Sequence, residues 1–162
     1  MTEKVYNVLF LCTQNAARSI MAEAILNKLG HGRFKAFSAG SQPLGQVNTH
    51  TLELLTMIGY DVSQLRSKNW DEFKGADAPE MDFVFTVCSD TANSVCPVWK
   101  GQPVSAHWHF SDPSSVQGTA AQQHEAFHHT LQEIRQRVQL FLSLPLAKLD
   151  KMSLHHHVSN LA

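Results

Sequence analysis

Cysteine and charge are both scarce in this sequence. It contains three cysteines, an odd number that excludes a fully paired disulfide framework and is one thiolate short of a four-cysteine zinc site. Charged residues make up 17% of the 162 positions, and 13 basic against 14 acidic side chains leave a net charge of -1. Because this balance gives no general attraction to phosphate backbones or anionic lipid, we expect neither nucleic-acid nor membrane binding.

The sequence also lacks a long apolar run. The apolar stretch that follows Lys4 is interrupted by Asn7, and the bulky Phe10 and Leu11 stand where signal-peptide cleavage requires small residues. We therefore expect a cytoplasmic protein, in which thiols stay reduced unless they are catalytic.

No repeat or Gly-, Ser- or Pro-rich linker divides the chain, so we predict one domain over residues 1–145 and a polar C-terminal tail over 146–162. Four apolar runs have the length of strands: Val5–Leu11, Arg33–Ser38, Met81–Val87 and Val104–Phe110. Helical periodicity marks three further segments: Ser19–Leu29, Thr49–Ile58 and Phe127–Phe141, the last closed by Pro145. This alternation predicts an α/β fold, a four-stranded parallel sheet with helices on both faces in a flavodoxin-like three-layer sandwich.

In parallel sheets, ligands bind outside the carboxyl ends of the strands, so the loop after the first predicted strand is the first candidate site. A loop that leads from a strand into a helix places successive backbone N–H groups around a concavity that binds oxyanions. We predict a catalytic Cys12 in this loop, followed by seven substrate-binding residues: Thr13, Gln14, Asn15, Ala16, Ala17, Arg18 and Ser19.

Each polar side chain of this loop has a predicted role. The helix dipole and Arg18 would stabilise a thiolate, so we expect a depressed pKa and nucleophilic character for Cys12. The planar fork of Arg18 suits two oxygens of a tetrahedral oxyanion, and Ser19 can donate its hydroxyl to the sulfur. Asn15 tolerates the left-handed backbone that a tight loop requires. The alternative is a buried core cysteine beside a solvated arginine.

A general acid is the next requirement, because an oxygen that leaves an oxyanion centre is a poor leaving group unless it is protonated. Asp112 follows the last predicted strand, whose carboxyl end should lie on the same edge of the sheet as Cys12, and Pro113 stiffens the loop. The alternative is an ordinary Asp-Pro turn.

Together these residues resemble the pattern of a known protein family. The pattern Cys12-x5-Arg18-Ser19 near the N-terminus, with Asp112-Pro113 late in the chain, resembles the low-molecular-weight tyrosine phosphatase fold over nearly the whole chain. The phosphatases usually carry Gly two places after the nucleophile and a second Cys just before the Arg, where this chain has Gln14 and Ala17.

Within that fold the chain resembles the arsenate reductases, through Cys88-Ser-Asp-Thr-Ala-Asn-Ser-Val-Cys96-Pro-Val-Trp followed by His-Trp at 107–108. The resemblance implies a reductase domain with Cys12 as the nucleophile, Arg18 as the oxyanion ligand and Asp112 as the acid. It also implies Cys88 and Cys96 as the redox relay.

We expect the relay to proceed in a definite order. Cys12 would attack arsenate, Cys88 would then attack the sulfur of Cys12, and the electron pair would pass to arsenic as arsenite leaves. Cys96 would next attack Cys88 and move the disulfide to a segment that thioredoxin or another thiol reductant can reach. A helix from 88 to 96 would hold the two α-carbons about 12 Å apart, beyond the roughly 7 Å of a disulfide, so this segment must loop or unwind.

Two other functions stay open at this point. One is a phosphatase for tyrosine phosphate or small phosphoesters, in which Cys88 and Cys96 protect Cys12 from oxidation. The other is a non-catalytic sensor of oxyanions or redox state. We predict no bound organic cofactor and no metal, because the histidines at 124, 128 and 129 fit a solvated helix face and those at 155–157 a polar tail. Lys68 could add positive potential near the site, although the sequence does not place it.

Overall fold

The computed structural model describes residues 5–75, 77–87, 103–146 and 151–161. Its strands are β1 (Tyr6–Cys12), β2 (Phe34–Gly40), β3 (Phe83–Thr86) and β4 (Val104–His107). All pair in parallel in the order β2-β1-β3-β4, which confirms the predicted four-stranded parallel sheet. Its α-helices are α1 (Arg18–Leu29), α2 (Thr49–Met57), α3 (Ala120–Leu142) and α4 (Lys151–Asn160).

The central strand β1 is buried on both faces of the sheet. Val8, Phe10 and Cys12 face the larger hydrophobic core, to which each of the four α-helices in the described residues contributes. Leu9 and Leu11 face a smaller core, which is covered by the short 3-10 helix Trp70–Phe73. This alternation is why the strand reads as a continuous apolar run, and it places helical segments on both faces, as predicted.

Strand β4 is shorter than the predicted run, because the chain leaves the regular ladder after His107. The backbone N–H of Trp108 still donates to Thr86 O at 2.7 Å, while its indole ring stacks on Phe85 with centroids 4.0 Å apart. The indole N–H donates to Val158 O in α4 at 2.9 Å. The predicted polar tail therefore contains a helix, α4, that packs on the edge of the sheet.

Helix α3 begins seven residues before Phe127, the first apolar residue used to predict it. Its first two turns are largely exposed and polar, so apolar periodicity does not mark them. A capping box at Thr119 and Gln122 starts the helix, with reciprocal bonds of 3.2 and 2.8 Å. The start of α3 was therefore encoded in a local polar signal that the apolar pattern missed.

The order of the strands fixes where a ligand can bind. The chain passes from β1 to β2 on one side and then to β3 on the other, so the carboxyl ends of β1 and β3 flank the switch point of the sheet. Cys12 is the last residue of β1 and stands at this point. Within the described ranges, no helix is both long and apolar enough to cross a bilayer.

Candidate active site

The segment Cys12–Ser19, here called the anion loop, is held from outside by hydrogen bonds to its carbonyl groups. The carbonyls of Thr13, Gln14 and Ala16 accept from the backbone N–H groups of Gln42, Leu44 and Asn48 at 2.9, 3.1 and 2.9 Å. Because the N–H and C=O of a peptide unit point in opposite directions, these contacts turn the N–H side of the loop toward the concavity. Helix α1 begins at the end of this loop, so its positive dipole end faces the same space.

Asn15 is part of the anion loop and determines its curvature, although its side chain does not line the cavity. Its φ of 47° is left-handed, the conformation expected from its residue type, and it is fully buried. Its amide donates to Ser19 Oγ at 2.8 Å, and its side-chain oxygen accepts from the backbone N–H of Lys68 at 2.9 Å. Both polar ends of the side chain are therefore used to hold the loop.

Gly40, at the carboxyl end of β2, allows the anion loop to pass close by. A Cβ at this position would lie 2.5 Å from Thr13 O and 2.6 Å from Cys12 O, and both atoms belong to the backbone. Gly40 was not among the predicted site residues. The available signal was a glycine at the end of a predicted strand, which often marks a close approach of another backbone.

An open cavity of about 250 Å³ lies in front of the loop. It is lined by Cys12, Thr13, Gln14, Ala16, Ala17, Arg18, Leu44, Asn48, Asp112 and Ser114. The Arg18 side chain is 12% exposed; its Nη1 donates to Phe110 O at 3.1 Å, and its Nη2 lies 3.6 Å from Asp112 Oδ2. The arginine therefore connects the anion loop to the loop that follows β4.

Asp112 is held by its own neighbours in sequence. Its Oδ1 accepts from the backbone N–H of Ser114 at 3.0 Å and from the Ser114 hydroxyl at 2.6 Å, as the N-cap of the 3-10 helix Pro113–Ser115. The hydroxyl of Ser115 donates to Asp112 O at 2.8 Å. With 35% of its side chain exposed, the carboxyl group is accessible to water.

The predicted site residues fall into three groups. Cys12, Arg18 and Asp112 line the cavity together, along with the loop residues at 13, 14, 16 and 17. Asn15 and Ser19 also belong to the loop, but they are fully buried, do not line the cavity and are hydrogen-bonded to each other. Cys88 and Cys96 lie outside the described residues.

Three lining residues were not predicted: Leu44, Asn48 and Ser114. Asn48 had a recognisable signal, because an asparagine directly before a helical pattern is a typical N-cap. Its side chain accepts from the backbone N–H of His50 at 2.9 Å at the start of α2. Leu44 and Ser114 reach the cavity only through the packing of their loops, which no local pattern indicates.

Lys68 is only 8% exposed and is not among the residues that line the cavity. Its ammonium is 3.6 Å from Glu23 Oε1, which also accepts from Ser38 Oγ at 2.6 Å. Burial raises the pKa of Glu23 above its ordinary value of 4.5, against the opposing effect of Lys68. Burial likewise lowers the pKa of Lys68 below 10.5, partly offset by Glu23.

The described geometry agrees with the comparison to known proteins. The family model for low molecular weight phosphotyrosine protein phosphatase matches residues 7–154. The chain belongs to this family.

Within the family, arsenate reductases are among the relatives that match most of the chain. The enzyme from Halalkalibacterium halodurans is 33% identical over 87% of this chain and 96% of its own length. The enzyme from Bacillus subtilis is 31% identical over 83% of this chain and 93% of its own length. The crystal structure of arsenate reductase from Archaeoglobus fulgidus has a TM-score of 0.68 at 29% identity, covering 85% of this chain and 99% of that one. The chain is therefore an enzyme of the arsenate reductase group of the phosphatase family, which confirms the resemblance read from its motifs.

Proposed function

We propose that this chain reduces arsenate to arsenite, with Cys12 as the nucleophile and Cys88 and Cys96 as successive electron donors. The observation that carries the proposal is the convergence of Cys12, Arg18 and Asp112 on one cavity at the carboxyl end of β1. A nucleophile, a planar cation and a carboxyl group are the three groups that substitution at a tetrahedral oxyanion needs. Its arsenate reductase relatives support this substrate.

The size and lining of the cavity suit a small oxyanion. Most of its described walls are backbone, alanine or polar side chains, and Leu44 supplies the large apolar one. The N–H side of the anion loop, the positive end of α1 and the guanidinium of Arg18 together provide the donors that bind a compact anion. The same groups stabilise the thiolate form of Cys12.

In the proposed first step, the thiolate of Cys12 attacks arsenic while Asp112 protonates the departing oxygen, which leaves as water. A sulfur–arsenic bond forms, an arsenic–oxygen bond breaks, and arsenic stays in oxidation state V. Arg18 stabilises the charge on the remaining oxygens through the five-coordinate transition state.

In the proposed second step, the thiolate of Cys88 attacks the sulfur of Cys12, and the electron pair of the sulfur–arsenic bond passes to arsenic, which leaves as arsenite. Cys96 then attacks Cys88, which releases Cys12 and leaves a disulfide between positions 88 and 96. Two thiols have become one disulfide and arsenic has gained two electrons. Thioredoxin or another dithiol would reduce that disulfide, in a cytoplasmic compartment that keeps thiols reduced.

The direct test is arsenate-dependent oxidation of NADPH in the presence of thioredoxin and thioredoxin reductase. We expect sustained turnover for the natural chain and none for Cys12→Ser, whose hydroxyl is a far weaker nucleophile. Absence of NADPH oxidation with thioredoxin, glutaredoxin and glutathione alike would contradict the proposal.

The relay has its own test. Cys96→Ser should complete about one turnover and then stop with Cys12 and Cys88 linked, because nothing releases the nucleophile. Disulfide mapping by mass spectrometry after one arsenate turnover without reductant measures this directly. Continued multiple turnover by Cys96→Ser would remove that residue from the mechanism.

Hydrolysis of aryl phosphates is the second candidate function. It is favoured by the match to the phosphatase family model and by the same arrangement of Cys12, Arg18 and Asp112, which serves phosphate equally well. Fast hydrolysis of an aryl phosphate without arsenate-dependent NADPH oxidation would establish the phosphatase instead of the reductase.

A further inference from the structure

The backbone of Lys68 touches the two residues that shape the anion loop. Its N–H donates to the side chain of Asn15 at 2.9 Å, and its carbonyl accepts from the N–H of Gly40 at 2.9 Å. Asn15 supplies the left-handed turn of the loop, and Gly40 supplies the space for its close approach. The position of one peptide segment therefore constrains both.

The side chain of Lys68 anchors this segment to the interior. The ammonium donates to Arg66 O at 3.0 Å and lies 3.6 Å from Glu23 Oε1. The same carboxylate oxygen accepts from the hydroxyl of Ser38 in β2 at 2.6 Å. Helix α1, strand β2 and the segment at 66–68 thus meet at one buried carboxylate, directly behind the loop.

Stability alone is a weak reason for this arrangement. Removing two opposite charges from water costs several kcal/mol each, and apolar replacements of such pairs are often equally stable. The chain has an exposed pair of the same type a few residues away, where Lys74 Nζ lies 2.9 Å from Asp71 Oδ1 with side chains 47% and 63% exposed. What distinguishes the buried pair is its connection to Asn15 and Gly40.

We propose that Glu23 and Lys68 are positioning residues for the oxyanion site, whose ion pair holds the 66–68 segment and thereby fixes Asn15 and the curvature of the anion loop. Of the measurements that test this inference, only the arsenate kinetics depend on the proposed function. Neither residue touches the substrate, since neither lines the cavity.

The test compares Lys68→Met with Lys74→Met, which is the same substitution in the exposed pair. Binding of inorganic phosphate is measured by calorimetry, alkylation of Cys12 by iodoacetamide is followed by peptide mass spectrometry, and arsenate kinetics complete the set. For Lys68→Met we expect the Kd for phosphate and the KM for arsenate to rise about tenfold, with kcat within about threefold. The protection that phosphate gives Cys12 against alkylation should weaken in parallel. Lys74→Met should match the natural chain in all three measurements.

Two further variants separate positioning from folding. Glu23→Gln keeps the shape of the side chain and the acceptor for Ser38 but removes the charge, so phosphate binding should weaken about threefold. This variant tests the inference even if Lys68→Met does not fold. Combining Glu23→Gln with Lys68→Met removes the unpaired buried charge, so Tm should recover while phosphate affinity stays low.

Three results would overturn the inference: unchanged phosphate binding in the folded single variants, normal arsenate kinetics in Lys68→Met, or full recovery of both Tm and affinity in the double variant. Phosphate binding and Cys12 protection require no turnover. A natural chain that fails to reduce arsenate would therefore contradict the proposed function without affecting this result, and normal arsenate kinetics in Lys68→Met would contradict the inference alone.

Discussion

The two halves of the candidate active site are held in opposite ways. The anion loop is tied by distant segments, with bonds from the backbone at 42, 44, 48 and 68. Asp112 sits in what we call the acid turn, residues 111–115, where bonds from Ser114 and Ser115 hold it from two and three positions away. Arg18 joins the two regions through Phe110 O and the Asp112 carboxyl.

The difference follows from what each half does in the proposed mechanism. An oxyanion site works because its donors are aligned before the ligand arrives, so rigidity imposed by tertiary structure is an advantage. A general acid must meet both the leaving oxygen and water, so a partly exposed side chain on a locally closed turn is sufficient. We therefore expect binding defects from changes around the anion loop and rate defects from changes in the acid turn.

Replacing Asp112 should have the largest effect and change rate alone. Asp112→Asn keeps the acceptor for the Ser114 N–H but has no carboxyl proton to give, so the single-turnover rate with arsenate should fall about 10³-fold. Rapid-quench measurement of arsenite gives this rate, and calorimetry should show phosphate Kd unchanged within about threefold. A variant that bound phosphate much more weakly and reacted normally once saturated would reverse the assignment of the two halves.

Among substitutions around the anion loop, Gly40→Ala should reduce activity most. Because the new Cβ would meet Thr13 O at 2.5 Å and Cys12 O at 2.6 Å, one backbone must shift, and we expect kcat/KM to fall about 10²-fold. Gly75→Ala is the control, since a Cβ there meets nothing within 4 Å. Equal activity of the two variants would show that the loop adapts and is not pre-arranged.

Two substitutions at Asn15 separate backbone conformation from side-chain bonding. Asn15→Gly keeps easy access to φ 47° but loses the bonds to Ser19 and Lys68, so phosphate Kd should rise about fivefold. Asn15→Ala loses both the easy access to the left-handed conformation and the side-chain bonds, so phosphate Kd should rise about twentyfold. If calorimetry gave the same Kd for both variants, the left-handed conformation would contribute nothing to binding.

A smaller effect is expected within the acid turn. Ser114→Ala removes the hydroxyl bond to Asp112 Oδ1 and leaves the backbone N–H bond, so the single-turnover rate should fall about threefold. Ser115→Ala is the matched control, because its hydroxyl meets the backbone of Asp112 and not the carboxyl group. A larger loss in Ser115→Ala would mean that the shape of the turn, and not the hold on the carboxyl, limits the reaction.

The smallest predicted effect is on the pH dependence of stability. Burial raises the pKa of Glu23 in the folded chain, so its contribution to stability is fully present below about pH 4.5 and is lost as pH rises through the folded value. Glu23→Gln should abolish this decline. Urea unfolding at a series of pH values measures the difference, and parallel curves for the two proteins would contradict it.

Much of this site was predictable because its signals are local. Cys12 directly follows a predicted apolar run, Arg18 directly precedes a predicted helical pattern, and an asparagine between them suits a left-handed turn, so strand, loop and helix followed from residues within about ten positions. Asp112 followed from the strand before it and the proline after it. Gly40 and Lys68 were not predicted as loop supports, because each acts on the anion loop from a different part of the chain.

The amino-acid sequence by itself determined the parallel sheet, the position of Cys12 and its loop at the end of the first strand, and the family. Only the tertiary structure decided which segments hold that loop, that the side chains of Asn15 and Ser19 are buried and do not line the cavity, and that Lys68 is buried against Glu23. The physical reason is how far apart in sequence the interacting residues lie. Strand alternation, capping and turn conformations are energies between near neighbours in sequence, whereas burial and backbone approach depend on segments that meet only when the sheet has formed.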